Sequence, residues 1–174
     1  YFRSKGVAEE LVLSSGLGAR ILRTPILFGP QAAGSQAIVG MISSGQAKLL
    51  GGGHYQMRPL DIDDLSEALT ILCSTPIQDQ VTHELVGPES ASYRNIIEMA
   101  AEVMGKTVTF GNVPILLAKF GATITSILKG GGITPTVIDV ITQDEVVKTN
   151  ADSTLGITLT PMKQTLEKMT SLGD

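Results

Sequence analysis

The chain has 174 residues, 43% of them hydrophobic types, a formal net charge of -4 and one cysteine. That length supports a domain with a real core, and the 13 scattered Lys and Arg give no electrostatic footprint for nucleic acid. Cys73 alone cannot form an internal disulfide, and with only two well-separated histidines it points to no thiolate metal site.

Tyr1-Phe2-Arg3-Ser4-Lys5 opens a segment with helical character over residues 3–15. Ala8, Leu11, Val12 and Ser15 form its apolar or small face, Glu9 and Glu10 lie opposite, and Gly16 is a suitable stop. The run Ala19 to Pro30 reads as a strand that ends near Pro25, because proline removes a ladder donor. Its clustered apolar residues suit a parallel sheet covered on both faces.

A helix is expected over 35–44, then strand-like pieces at 47–50 and 56–60 joined by a tight, hairpin-like turn at Gly51-Gly52-Gly53. A phosphate-cradling role for those glycines is rejected, since another strand-like segment follows them and not a helix. Asp61, Asp63 and Asp64 open a helix to Ser74. Carboxylates in a first turn complement the helix dipole, so capping is favoured over a metal site. Its apolar face is read as Leu65, Ala68, Leu69, Leu72 and Cys73, which makes Cys73 a buried thiol.

His83 to Pro88 reads as a short strand, Ser92 as the cap of a helix over 93–104 that Gly105 ends, and Thr107 to Phe110 as a strand. Helical segments near 115–128, 136–143 and 161–172 complete the pattern. The apolar stretch Val113 to Leu128 is broken by Lys119, which is too short and interrupted for a membrane span. It reads as a buried or groove-lining amphipathic helix, with a membrane-surface helix as the alternative. The first residues are polar and charged, so no secretory leader is expected there. Strands alternating with helices imply an α/β fold, more irregular and more helical toward the C-terminus.

Lys5 follows Tyr1 by four residues, one helical turn on, so a cation can sit near the phenol and draw its pKa down toward the range useful for proton transfer. The spacing alone also occurs on solvated helix faces. Three further blocks follow in order: Ile21 to Pro30, with Leu22-Arg23 and Phe28-Gly29-Pro30; Arg58 to Ala68, with Pro59, Asp63-Asp64 and Glu67-Ala68; and Glu84-Leu85-Val86-Gly87-Pro88-Glu89 with Tyr93. Together the four resemble the extended and atypical short-chain dehydrogenase/reductase (NAD(P)-dependent epimerase/dehydratase) superfamily, from its Tyr-x-x-x-Lys motif to its C-terminus. In the tail, Asp144 to Val147, Leu155-Gly156-Ile157 and Thr160-Pro161-Met162 resemble the branch related to the NAD(P)H-binding accessory subunit of respiratory complex I.

The resemblance implies the C-terminal portion of a Rossmann-like doubly wound parallel sheet with a smaller mixed α/β substrate part. Residues 1–30 and 47–75 would belong to the sheet core, interleaved with substrate-domain segments, and 76–174 mostly to the substrate domain. It implies Tyr1 as general acid/base and Lys5 as the residue that tunes it and holds the nicotinamide ribose. Backbone groups of Thr24, Pro25 and Ile26 would border the nicotinamide of NAD or NADP. Arg58 is the candidate for an anionic substrate group, with a salt-bridging surface Arg as its alternative. The substrate would be a small carbonyl compound or a nucleotide sugar. The other reading is a non-catalytic NAD(P)H-binding accessory protein with respiratory-complex partners, in the cytoplasm or peripheral to a membrane complex. Two departures stand out. Asp61 takes the place where many relatives carry His, and the family's glycine-rich phosphate-binding turn has no counterpart in this sequence. The isolated chain is therefore expected not to hold a dinucleotide tightly and to be inactive.

Overall fold

The computed structural model describes residues 2–76, 81–129 and 135–170. Helix α1 (Phe2–Ser14) leads to β1 (Arg20–Arg23) and the short β2 (Leu27–Phe28), then to α2 (Ala33–Ser43) and β3 (Gln46–Leu50). After a single 3-10 turn come β4 (Gln56–Met57), β5 (Leu60–Asp61) and α3 (Ile62–Ser74). The next elements are β6 (Val81–Glu84), β7 (Ala91–Ser92), α4 (Tyr93–Val103) and β8 (Thr109–Val113), followed by α5 (Ile115–Lys129), α6 (Pro135–Ile141), α7 (Asp152–Leu155) and α8 (Met162–Thr170).

Three of the strand pairs among the described residues are parallel: β1 with β6, β2 with β5 and β3 with β8; β4 and β7 run antiparallel. Parallel partners need long crossovers, and helices supply them here, which is the α/β arrangement that the alternation of elements implies. In the β1–β6 pair Arg20 stands opposite Val81 and Arg23 opposite Glu84, so both strands end at the same level. Leu85 N–H extends the ladder one step by donating to Arg23 O at 2.9 Å.

The larger core gathers Phe28 of β2, Ile38 and Ile42 of α2, Ala47 and Leu49 of β3, Ile96, Ile97 and Ala100 of α4, and Leu166 of α8. Each buried Leu or Ile contributes about 1.5–3 kcal/mol. A second core joins Leu60, Ala68 and Leu85 to Ala151, Ile157 and Leu159 from the C-terminal part. Local signals set the helix starts. Asp61 Oδ1 accepts from Asp63 N–H at 2.9 Å and caps α3, and Ser92 Oγ accepts from Asn95 N–H at 3.1 Å and caps α4.

Several expectations are corrected. Gly51, Gly52 and Gly53 make a tight turn, with φ of 56°, 74° and 72°, a left-handed run that only glycine sustains cheaply. It does not make a hairpin, because β3 pairs with β8 and β4 with β7. The expected strand over 56–60 divides into β4 and β5 around Pro59, which cannot donate to a ladder. The strand expected from His83 lies two residues earlier, and β7 and α7 were not anticipated.

Cys73 is exposed and not buried. Ala68 is the fully buried residue of α3, and Cys73 lies five positions on, about 140° round the helix at 3.6 residues per turn. Helix α1 likewise turns Glu9 and Leu13 partly inward and leaves Leu11 and Val12 exposed, reversing the expected faces. The ion pair of Glu9 with Arg23 sets that orientation. On α5 the apolar side chains Leu116, Leu117 and Phe120 are exposed and not buried; the helix is fastened to α6 through the Lys119–Asp139 ion pair.

Candidate functional site

A cavity of about 670 Å³ opens where β1 and β6 end. From β1 onward it is lined by Arg23, Thr24, Pro25 and Ile26, and from the end of β6 by Glu84 and Val86. Gly34 and Ala37 of α2, Met57 of β4 and the rings of Tyr55 and Tyr93 form further wall. Its remaining side comes from far along the chain, from Val140 and Ile141 at the end of α6 and from Gln143 to Val147. The site thus lies outside the carboxyl ends of parallel strands, where the open α/β architecture leaves a crevice.

The 143–147 segment is stitched onto β4. Glu145 N–H donates to Gln56 O at 2.9 Å, and Gln56 N–H donates to Asp144 Oδ1 at 2.7 Å. Arg58 N–H donates to Glu145 Oε2 at 2.6 Å. Burial pushes the Glu145 carboxyl above its ordinary value, while hydrogen bonds from the backbone amides of Arg58 and Ile26 and the Arg58 charge oppose that shift.

Tyr55 and Tyr93 stack with ring centroids 5.7 Å apart and planes 20° from parallel, and Tyr93 N–H donates to Tyr55 O at 3.1 Å. Burial, followed by the neighbouring Tyr93, pushes the Tyr55 phenol upward, and burial does the same to Tyr93. Both therefore stay protonated at neutral pH and can donate a hydrogen bond into the cavity without adding charge.

At the rim, the Arg23 guanidinium holds Glu9 through Nε (3.0 Å) and Nη2 (2.7 Å), and Glu84 through Nη1 (3.1 Å). Both carboxylates raise its pKa, Glu9 more than Glu84, and the bonds from Arg23 in turn lower the Glu9 pKa. This clamp has a positional consequence. Lys5 lies one helical turn before Glu9 on α1, so the Glu9–Arg23 pair fastens the helix that carries Lys5 to the end of β1.

Of the residues singled out from sequence, Thr24, Pro25 and Ile26 meet at the cavity wall, and Lys5 is exposed on the helix docked at its rim. Tyr1 lies outside the described residues. Arg58 is not part of the cavity lining: its Nε donates to Gly87 O at 3.0 Å and its Nη2 to Pro88 O at 3.3 Å, holding the turn after β6. Glu9, Arg23, Glu84, Tyr55, Tyr93 and Glu145 carry the polar structure of the site and were missed. Arg23, Glu84, Tyr93 and Glu145 lie inside the blocks that carry the resemblance and Glu9 lies one helical turn from Lys5, whereas Tyr55 has no signal in the sequence. Asp61 is buried, is not part of the cavity lining, and accepts from Thr165 Oγ1 at 2.8 Å and Lys168 Nζ at 3.1 Å. Asp64 is not only a first-turn carboxylate either, since it accepts from both Thr160 Oγ1 (2.7 Å) and Thr160 N–H (2.8 Å). Among the described residues no cluster of His, Cys, Asp and Glu is arranged to hold a metal, and no helix is long and apolar enough to cross a membrane.

No protein-family model and no curated protein sequence matches the chain. Solved structures do. The chain is similar to MoeE5 in complex with UDP-glucuronic acid and NAD, at TM-score 0.70 and 19% identity over 97% of this chain and 53% of that one. It is similar to the UDP-glucuronic acid 4-epimerase of Bacillus cereus in complex with UDP-glucuronic acid and NAD, at TM-score 0.65 and 19% identity over 95% and 48%. The human epimerase family protein SDR39U1 with NADPH matches at TM-score 0.64 and 15% identity over 87% and 48%. The chain spans about half the length of these structures and has the fold of that half, a partial Rossmann-like α/β fold.

Proposed function

We propose that this chain is the C-terminal half of an NAD(P)-dependent oxidoreductase or epimerase-type enzyme, with Tyr1 and Lys5 as its proton-transfer pair. The observation that carries the reading is the place of the cavity. It lies at the carboxyl ends of the parallel β1 and β6, is walled by Thr24, Pro25 and Ile26, and has the Lys5-bearing helix clamped to its rim through Glu9 and Arg23. The wall fits the nicotinamide end of a dinucleotide, since Pro25 and Ile26 offer apolar surface and the backbone around them offers hydrogen-bonding groups. The cofactor, when bound, supplies or takes up the hydride.

Tyr1 gives its phenolic proton to the carbonyl oxygen in reduction and takes it back in oxidation. Lys5 lowers the Tyr1 pKa by placing a positive charge beside the phenolate. The Glu9–Arg23 clamp, which fastens the Lys5-bearing helix α1 at the end of β1, supports this reading. In the full natural polypeptide that carries this sequence, Tyr1→Phe and Lys5→Met should each lower turnover with a carbonyl substrate by about 100-fold or more, the range that general acid–base catalysis supplies. Unchanged turnover in Tyr1→Phe would exclude the assigned role.

The exposed Leu116, Leu117 and Phe120 on α5 favour a second reading, an NAD(P)H-holding accessory protein that docks on a respiratory complex without turnover. Oxidation of bound NADPH by added carbonyl compounds would remove it. For the isolated chain we expect no tight dinucleotide binding, and calorimetric titration with NADH and NADPH checks this; micromolar affinity would be the contrary result.

A further inference from the structure

The proton-transfer reading leaves the substrate open between a nucleotide sugar and a small carbonyl compound, and the charge of the cavity separates them. A nucleoside diphosphate needs cations or free N–H donors around its two phosphates. Among the described residues that line the cavity the only cation is Arg23, set against the carboxylates of Glu84, Asp144 and Glu145. Arg23 is already held by Glu9 and Glu84. Arg58, the obvious phosphate ligand by sequence, is not part of the lining, and its Nε and Nη2 are directed to the carbonyls of Gly87 and Pro88. Asp144 and Glu145 also use the neighbouring backbone donors, since the amides of Gln56 and Arg58 point to their carboxylates and not to a ligand.

What remains of the wall is mainly apolar, with Pro25, Ile26, Met57, Val86, Ile141, Val147 and the stacked rings of Tyr55 and Tyr93, and its other polar side chains, Thr24 and Gln143, carry no charge. The two phenols are neutral and supply hydrogen-bond donors suited to a carbonyl or hydroxyl oxygen. We infer that the site takes a neutral, mainly apolar carbonyl compound or the corresponding alcohol, and that Asp144 and Glu145 act as specificity-determining residues that exclude anionic nucleotide sugars. This rests on the oxidoreductase reading above and names its substrate class.

The test is ligand-observed NMR on the full natural polypeptide saturated with NADP⁺, using 2-decanone as the neutral probe and UDP-glucuronic acid as the anionic one. The expected result is that 2-decanone binds at least about tenfold more tightly. The double variant Asp144→Asn/Glu145→Gln should then bind UDP-glucuronic acid about tenfold better while changing 2-decanone affinity by less than about threefold. Ala37→Phe, which fills the cavity from α2, should weaken 2-decanone and serves as the check that the probe sits there. Tighter binding of UDP-glucuronic acid by the unmodified protein, or no binding of 2-decanone, overturns the inference, as does no gain in anion affinity in the double variant. The oxidoreductase reading fails on a different readout: 2-decanone binds as expected, but hydride transfer is unaffected by Tyr1→Phe.

Discussion

Asp61 is a buried carboxylate that accepts three hydrogen bonds, and replacing it tests whether that carboxylate or apolar packing fastens α8 to α3. Its side chain has no exposure. Oδ1 caps α3 by accepting from Asp63 N–H, and Oδ2 accepts from Thr165 Oγ1 at 2.8 Å and Lys168 Nζ at 3.1 Å. In Asp61→Ala the lost cap costs about 1 kcal/mol. The hydroxyl of Thr165, itself 3% exposed, loses its acceptor, which costs about 1–3 kcal/mol. The Lys168 pair adds little: the ammonium is more than one-third exposed and keeps Asp63 at 2.9 Å, so solvent screening holds that part to about 0.5 kcal/mol or less. The total is about 3 kcal/mol, measurable as a fall in urea midpoint at constant m-value. Thr165→Val supplies the coupling check. On that background Asp61→Ala should cost about 1–2 kcal/mol less, because no hydroxyl is left stranded. A single-variant loss below about 1 kcal/mol, or strict additivity, would refute the assigned role.

Three further outcomes can be measured directly. Gly87→Ala should destabilise by about 3 kcal/mol or more, because an added Cβ would lie 2.0 Å from Pro59 O, a backbone atom that cannot give way cheaply; urea unfolding reads it, and a near-neutral change would mean that the β5–β6 junction is looser than described. Cys73 should react with Ellman's reagent in the native protein at a rate close to that of the urea-unfolded chain, whereas a thiol that waits for denaturant would restore the buried reading. For Glu145 burial raises the folded-state pKa above the ordinary value of 4.5, so the folded form keeps a proton that the unfolded chain has lost, and this contribution to stability disappears as pH rises through that window. Glu145→Gln should flatten this part of the stability–pH curve, and identical slopes in variant and parent protein would exclude the effect.

What was legible in the sequence was mostly local. Ser92 and Asp61 cap helices through hydrogen bonds to amides two or three residues on, so their signal lies within one turn of chain. The three glycines announced a left-handed turn for the same reason, but which strands the turn serves depends on β8, which begins 56 residues beyond Gly53. The apolar residues of α3 read in the sequence as one wide stripe that includes Cys73, whereas only the side centred on Asp64 and Ala68 is buried, and Asp64 is held there by Thr160 from far along the chain. The faces of α1 were assigned by hydropathy and then decided by an ion pair, since Glu9 is drawn to Arg23 while Leu11 stays exposed.

The same division runs through the site. Thr24, Pro25 and Ile26 could be singled out through the family resemblance, which agrees with the rule that ligands lie outside the carboxyl ends of strands, and they line the cavity there. Glu145 lies in a tail segment that carries part of the resemblance, but nothing in its own turn of chain places it at the cavity. Its position is set by the amide of Arg58 and the carbonyl of Gln56, groups that every non-proline residue possesses and that therefore leave no trace in side-chain identity. The consequence reaches the chemistry. Arg58 looks like a phosphate ligand when only its side chain is read, yet its backbone N–H holds a carboxylate at the cavity wall while its guanidinium fastens the turn at Gly87 and Pro88. A residue singled out for positive charge thus holds a carboxylate at the cavity wall and brings no cation to it.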